Sequence, residues 1–168
     1  MKLSIIIPMY NEQESLDALF MELSGLFSQE AKTEIIFIND GSSDDTLSIL
    51  ESKIKNYSSW KVINLYRNYG KSVALQAGFD NSKGEIIATM DADLQDNPKE
   101  IYNLIKELEK GYDVVSGWKK NRKDPLEKKI ASKIFNFFVR VFSGLKIHDS
   151  NCGIKVFKRE VTEMLTLY

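Results

Sequence analysis

Two carboxylates one residue apart, Asp91 and Asp93, close the apolar run Ile86-Ile87-Ala88-Thr89-Met90, and their type and spacing suit them to chemistry. Side chains alternate between the two faces of an extended segment, so both acids point the same way where extended geometry persists to the strand end. Two like charges aimed together require a cation. Hard oxygen ligands suit Mg²⁺ or Mn²⁺, and Mg²⁺ takes one or two protein carboxylates and completes its shell with water and phosphate oxygens. The pattern points to a metal-diphosphate site. The plainer reading is a turn whose acids face water, and the buried character of the preceding run weighs against it.

A pair of carboxylates works only if a scaffold aims it, and the rest of the chain alternates short β-branched runs with segments of helical periodicity. Strands are predicted over 3–7, 33–39, 60–66, 85–90 and 112–118. Helices are predicted over 15–27, from the 40–45 turn to about 57, over 71–81, over 98–110 behind Pro98, and over 159–167. Strands spaced a helix apart and rich in Ile and Val imply an open, largely parallel sheet with helices on both faces and right-handed connections. In such sheets ligands bind beyond the carboxyl ends of the strands, near a switch in strand order. Four polar clusters fall at those ends: Tyr10-Asn11-Glu12, Asp40-Gly41-Ser42, Arg67-Asn68-Tyr69-Gly70-Lys71 and Asp91-Ala92-Asp93. They are expected to converge on one cleft.

The chain has 168 residues, 43% hydrophobic and 28% charged, which is one globular domain with material for a real core. A formal net charge of −1 gives no global attraction to an anionic partner, so any such attraction is local. One cysteine, Cys152, permits no internal disulfide and fits a reducing compartment. Pro8 and Glu12 interrupt the first apolar run too early for a signal peptide, and no stretch of 18 apolar residues predicts a spanning helix. No Gly-x-Gly-x-x-Gly follows the first strand and no Gly-x-x-x-x-Gly-Lys-Ser/Thr occurs, which removes the dinucleotide and P-loop readings. Polar side chains at strand ends, with a metal on a diphosphate, are the workable substitute.

Ile5-Ile6-Ile7-Pro8-Met9-Tyr10-Asn11-Glu12, Ile38-Asn39-Asp40-Gly41-Ser42-Ser43-Asp44-Asp45-Thr46 and Asp91-Ala92-Asp93-Leu94-Gln95 together resemble family 2 glycosyltransferases, in particular the dolichol-phosphate mannosyltransferase-like, polyprenyl-phosphate branch. The resemblance spans nearly the whole chain. It implies an α/β GT-A (Rossmann-like) fold and transfer of a sugar from a nucleotide diphosphate sugar, a UDP- or GDP-sugar, with inversion at the anomeric carbon. It also implies residue roles: Pro8, Tyr10 and Glu12 around base and ribose, Asp40 on the base, Asp91 and Ala92 toward the donor, and Asp91, Asp93 and Gln95 on Mg²⁺ or Mn²⁺. Asp91 and Asp93 are thereby the expected catalytic pair. Lys71, at the start of a helix, is a candidate second contact to phosphate, against the alternative of a solvated surface lysine.

From Lys119 to Lys133 seven basic residues face two acids, a local net of +5. They lead into a predicted helix from Pro125 whose apolar residues, Leu126 to Phe142, recur at helical spacing. Core packing accounts for such a stripe, and so does a membrane surface with anionic lipid. The resemblance favours the membrane and an acceptor phosphate held by Lys119, Arg122, Lys128, Lys129 and Ser132, with Lys133 nearby. Lys119 stands where the family has arginine, which keeps the charge and loses the bidentate fork. His148, Asp149 and Cys152 are too few for a tetrahedral zinc site, and Cys152 has no partner base for nucleophilic catalysis. The segment 148–155 resembles the family's acceptor-side element, which makes Asp149 a candidate base or orienting carboxylate.

The expectation is a single catalytic domain over 1–168, whole or cut from a longer protein, at the cytoplasmic face of a membrane, with a polyprenyl phosphate acceptor. Its rivals are a family 2 transferase acting on a sugar hydroxyl and a catalytically silent nucleotide-sugar binder. A nucleic-acid module would use the basic stretch but leave the four strand-end clusters unexplained, so no nucleic-acid partner is expected.

Overall fold

Strands apolar at nearly every position have no face to offer to water, so they must sit inside a sheet covered on both sides. The computed structural model describes residues 2–30, 32–118 and 152–167. In it β1 (Leu3–Met9), α1 (Leu16–Phe27), β2 (Thr33–Asn39), α2 (Thr46–Lys53), β3 (Trp60–Asn64), α3 (Lys71–Asn81), β4 (Ile86–Thr89), α4 (Glu100–Leu108), β5 (Val114–Ser116), β6 (Lys155–Lys158) and α5 (Arg159–Met164) follow in chain order. The strands form one sheet of order β3-β2-β1-β4-β6-β5. β1 is parallel to β2 and β4, and β2 to β3, while β6 runs antiparallel between β4 and β5.

Alternation along the central strands sends successive residues to opposite cores. Ile5, Ile7, Ile35 and Phe37 pack with Leu16, Leu19, Phe20, Leu23 and Phe27 of α1, the helix face read from their spacing. Ile6, Ile36, Ile38 and Ile87 pack on the other side with Ala74 and Phe79 of α3. Each such side chain, fully buried, contributes about 1.5–3 kcal/mol. Gly78 lets α3 ride close on β1, because a Cβ there would overlap the Ile6 side chain. Phe20 stacks on Phe37 with ring centroids 5.1 Å apart, which fixes α1 over β2.

Several boundaries tighten against the sequence reading. β4 ends at Thr89, β5 covers only Val114–Ser116, and α5 stops at Met164. The antiparallel β6 is unanticipated. Its Lys-Val-Phe-Lys is too short for a period to register, and Val156 and Phe157 are buried in opposite cores. Its pairing is decided by strands distant in sequence. The helix predicted from Pro125 lies outside the described residues. No helix among the described residues is long and apolar enough to cross a membrane.

Chain order places the site. From β1 the sheet grows to β2 and β3 on one side and to β4 on the other, so the loops leaving β1 and β4 diverge and open a crevice between them.

Candidate active site

The loop after β1 and the loop after β2 are laced into one unit. Asn11, at φ 54, donates its N–H to the Ser42 hydroxyl at 2.9 Å and accepts the Ser43 N–H on its side-chain oxygen at 2.8 Å. Asn tolerates this left-handed conformation better than most residues. The Glu12 N–H donates to the Thr46 hydroxyl at 2.9 Å, and the Asp45 N–H donates to the Gln13 side-chain oxygen at 3.0 Å. The Ser15 hydroxyl donates to the Glu12 carboxylate at 3.0 Å, orienting it at the rim. Ahead of α2, whose N-cap residue is Asp45, the Asp44 carboxylate accepts the Thr46 N–H at 3.1 Å in a local turn. Burial works to raise the Asp44 pKa, but the Thr46 hydroxyl and N–H and the Gln13 N–H outweigh it and hold the carboxyl below its ordinary value.

Asp40 joins this unit to the loop after β3. It is 4% exposed, and its two oxygens accept the N–H groups of Tyr69 at 2.8 Å and Gly70 at 2.9 Å. Gly41, at φ 65, lets the two loops meet backbone to backbone, since a Cβ there would overlap Arg67. The Arg67 guanidinium lies 5.0 Å from the Tyr69 ring centroid. Gly70, at φ 94, turns the chain into α3, whose first residue is Lys71. The Asp40 clamp therefore sets where Lys71 starts.

Lys71 reaches across the crevice and forms an ion pair with Asp91 at the end of β4, its side chain 55% exposed against 27% for the acid. On the other flank of Asp91 lies Gly153, where a Cβ would overlap the carboxylate. The Thr89 hydroxyl donates to the Gly153 carbonyl at 3.1 Å and ties that segment to β4. Beyond Asp91 the chain turns instead of continuing as a strand. Asp93 accepts the Gln95 N–H at 3.0 Å, and Leu94 takes φ 56.

Pro8, Tyr10, Glu12, Asp40, Lys71, Asp91, Ala92 and Asp93 line one cleft of about 280 Å³, together with Met9, Asn68, Gly70 and Ala74. Every sequence-read donor residue is thus brought to one place, and Asp91 and Asp93 share it although the strand stops short of them. Gln95 is exposed and is not among the lining residues; its backbone, not its side chain, contacts Asp93. Lys119, Arg122, Lys128, Lys129, Ser132, Lys133 and Asp149 lie outside the described residues. The Asp40 clamp and the contact of Gly153 with Asp91 are what sequence reasoning missed. Both depend on backbone approach across loops, and the available signal was a glycine in each partner segment.

Four carboxylates, Glu12, Asp40, Asp91 and Asp93, border this cleft with one lysine. Asp40 gives both oxygens to backbone N–H groups, whereas Asp91, paired with Lys71 through one oxygen, and Asp93, which accepts one N–H from Gln95, are the two closely spaced acids that remain candidates for oxygen donors. Two carboxylates beside open volume fit Mg²⁺ or Mn²⁺, whose remaining positions would go to water or phosphate oxygens.

The profile of glycosyl transferase family 2 matches residues 4–166. An undecaprenyl-phosphate 4-deoxy-4-formamido-L-arabinose transferase from Serratia proteamaculans is 39% identical over 166 residues, 98% of this chain and 51% of that protein. A dodecaprenyl-phosphate galacturonate synthase from Rhizobium johnstonii is 35% identical over 171 residues, 99% of this chain and 51% of that protein. The chain spans about half the length of these curated relatives. Among solved structures, a glucosyl-3-phosphoglycerate synthase from Mycobacterium tuberculosis in complex with Mn²⁺ and UDP-glucose aligns with TM-score 0.76 at 19% identity, over 99% of this chain and 59% of that one. A mannosyltransferase from Pyrobaculum calidifontis in complex with GDP-Man and Mn²⁺ aligns with TM-score 0.73 at 21% identity, over 99% of this chain and 47% of that one. These likenesses bear out the GT-A architecture expected from the sequence.

Proposed function

This chain belongs to glycosyl transferase family 2, and from that premise we propose that it moves a sugar from a nucleotide diphosphate sugar to a polyprenyl phosphate, with inversion and with Mg²⁺ or Mn²⁺ on the donor diphosphate. The observation that carries the reading is the convergence of Pro8, Tyr10, Glu12, Asp40, Lys71, Asp91 and Asp93 on one cleft at the strand-order switch. The acceptor assignment draws on the relatives, both named as acting on polyprenyl phosphates.

In this reading Tyr10 and Glu12 hold the nucleoside side of the donor, and the Asp40-clamped loop fixes the opposite wall. Lys71 and Asp91 flank the diphosphate and sugar. Asp91 and Asp93 would hold the divalent ion, which when bound would supply Lewis-acid stabilisation of the charge on a departing diphosphate. A phosphate monoester acceptor carries about −1.5 to −2 charges at pH 7, so it is already a nucleophile and needs orientation more than deprotonation. Asp149 then serves to orient, and Lys119, Arg122, Lys128, Lys129 and Ser132 bind the acceptor phosphate. The domain would work at the cytoplasmic face of a membrane that holds the lipid.

The test starts with thermal unfolding against a panel of UDP- and GDP-sugars with Mn²⁺, since a ligand at 100 times its Kd adds about 2.7 kcal/mol. The donor so found is then supplied with a polyprenyl phosphate and product is measured. Asp93→Asn should fold normally yet lose metal-dependent donor binding. Equal Mn²⁺-dependent affinity in variant and wild type would remove Asp93 from the metal site. Transfer to a sugar hydroxyl alone would replace the acceptor, and donor binding with no product from either acceptor would make the chain a binder.

A further inference from the structure

A second cavity, about 430 Å³, opens beside the donor cleft and shares Pro8, Lys71 and Asp91 with it. Its volume is that of a small-molecule site. Its walls differ in kind from those of the donor cleft. Leu75 and Phe79 continue the α3 face that begins at Lys71, Phe157 of β6 faces them, and Leu165 and Leu167 close the side. Phe79 and Phe157 meet edge to face with centroids 5.9 Å apart. The Leu167 N–H donates to the Gln76 side-chain oxygen at 2.9 Å, which ties the last described segment along α3. At the polar end stand Lys71, ion-paired with Asp91, and Lys155, whose ammonium donates to the Cys152 carbonyl at 2.7 Å, for a net positive charge among the three side chains.

An occupant that suits these walls has an anionic head at the lysines and an apolar body against the leucines and phenylalanines. The sugar of the donor does not: its hydroxyls would face Leu75, Phe79 and Phe157 without hydrogen-bond partners. We propose that this cavity seats the first isoprene units of the acceptor, with the phosphate end of the acceptor directed out of the cavity past its polar mouth. The assignment rests on the polyprenyl phosphate reading above and adds to it the place where lipid chain, as distinct from phosphate, is recognised. The two cavities adjoin at Pro8, Lys71 and Asp91, as they must if acceptor and donor are to meet at one sugar carbon.

Leu75 is the residue to change, because it is partly buried on a helix and lies outside the donor cleft. Leu75→Trp fills the cavity, and Leu75→Gln makes its wall polar while keeping a good helix former. Farnesyl phosphate, three isoprene units long, is the probe, with inorganic phosphate as the headgroup control. Each methylene buried improves binding roughly fourfold, so loss of even part of the chain contact is measurable. Leu75→Trp should raise the KM for farnesyl phosphate about tenfold and weaken its binding in calorimetry to the same degree. Inorganic phosphate affinity and donor Kd should stay within about twofold of wild type, and Leu75→Gln should show a smaller change of the same sign. Thermal unfolding of both variants checks that the fold persists. Unchanged farnesyl phosphate KM in both variants, with wild type active, would overturn the chain site while leaving the acceptor reading intact. A loss of donor affinity would overturn it too and give the cavity to the sugar. A wild-type protein that transfers to no polyprenyl phosphate would overturn the acceptor reading and this site with it.

Discussion

Asp40 braces a loop and borders the cleft with the same side chain. Its oxygens each accept a backbone N–H from the loop after β3, and the residue also lines the cleft. Asp40→Asn would turn an amide NH₂ toward one of those N–H groups and leave it without an acceptor, at about 1–3 kcal/mol. The variant is expected to lose that much stability in denaturant unfolding. It should also bind the free nucleoside diphosphate and the whole donor more weakly by similar factors, because the shared wall has moved. Calorimetry showing a loss for the sugar donor alone would shift the Asp40 contribution to the sugar.

At the scale of elements, the N-terminal ends of the strands are held by a group with no part in the cleft. Glu34 of β2 accepts hydrogen bonds from the Ser4 hydroxyl of β1 at 2.6 Å and from the Lys83 N–H before β4, and pairs with Lys61 of β3 at 3.4 Å. Burial works to raise its pKa, but these partners outweigh it and hold the carboxyl below its ordinary value of 4.5. A depressed folded pKa means stability that is present in full above the unfolded value and is lost as pH falls through the folded one. Glu34→Gln should therefore cost about 1 kcal/mol at pH 7, modest because Lys61 is partly exposed. The gap to wild type should close as the pH is taken below 4.5, the value for the unfolded chain. Thermal melts of both proteins across that range measure it, and a gap independent of pH would assign the effect to shape instead of charge.

At the scale of the whole molecule, the proposed reaction would divide between the interlocked loops of the donor cleft, which would hold the sugar donor, and the second cavity and the basic stretch after Trp118, which would hold the acceptor. Neutralising Lys119 and Arg122 together, as Lys119→Ala/Arg122→Ala, should raise the KM for the lipid phosphate and leave donor affinity unchanged. The defect should shrink with added salt if it arises from charge attraction, which mobile ions screen over about 8 Å at physiological ionic strength. Kinetics at two salt concentrations read this directly. A double variant with wild-type acceptor KM would reduce the basic stretch to solvation.

The sequence alone determined the layered α/β sheet, because strands apolar on both faces and helices apolar on one admit few other packings. It also determined that the loops after β1, β2, β3 and β4 meet, because parallel strands deliver all their carboxyl ends to one rim. What it left open was decided by contacts between residues far apart in the chain. The reversed β6 depends on long-range pairing with β4 and β5, which a four-residue segment cannot announce. Past the strand predicted over 85–90, the extended geometry on which the shared direction of the two acids was conditioned does not persist, and Asp93 stabilises a turn through the Gln95 N–H. Asp40 as a clamp, Gly153 against Asp91 and the apolar cavity beside Lys71 all arise from backbone segments brought within van der Waals distance. Local pattern specifies which face a side chain takes; only the assembled sheet specifies which other segment it meets there.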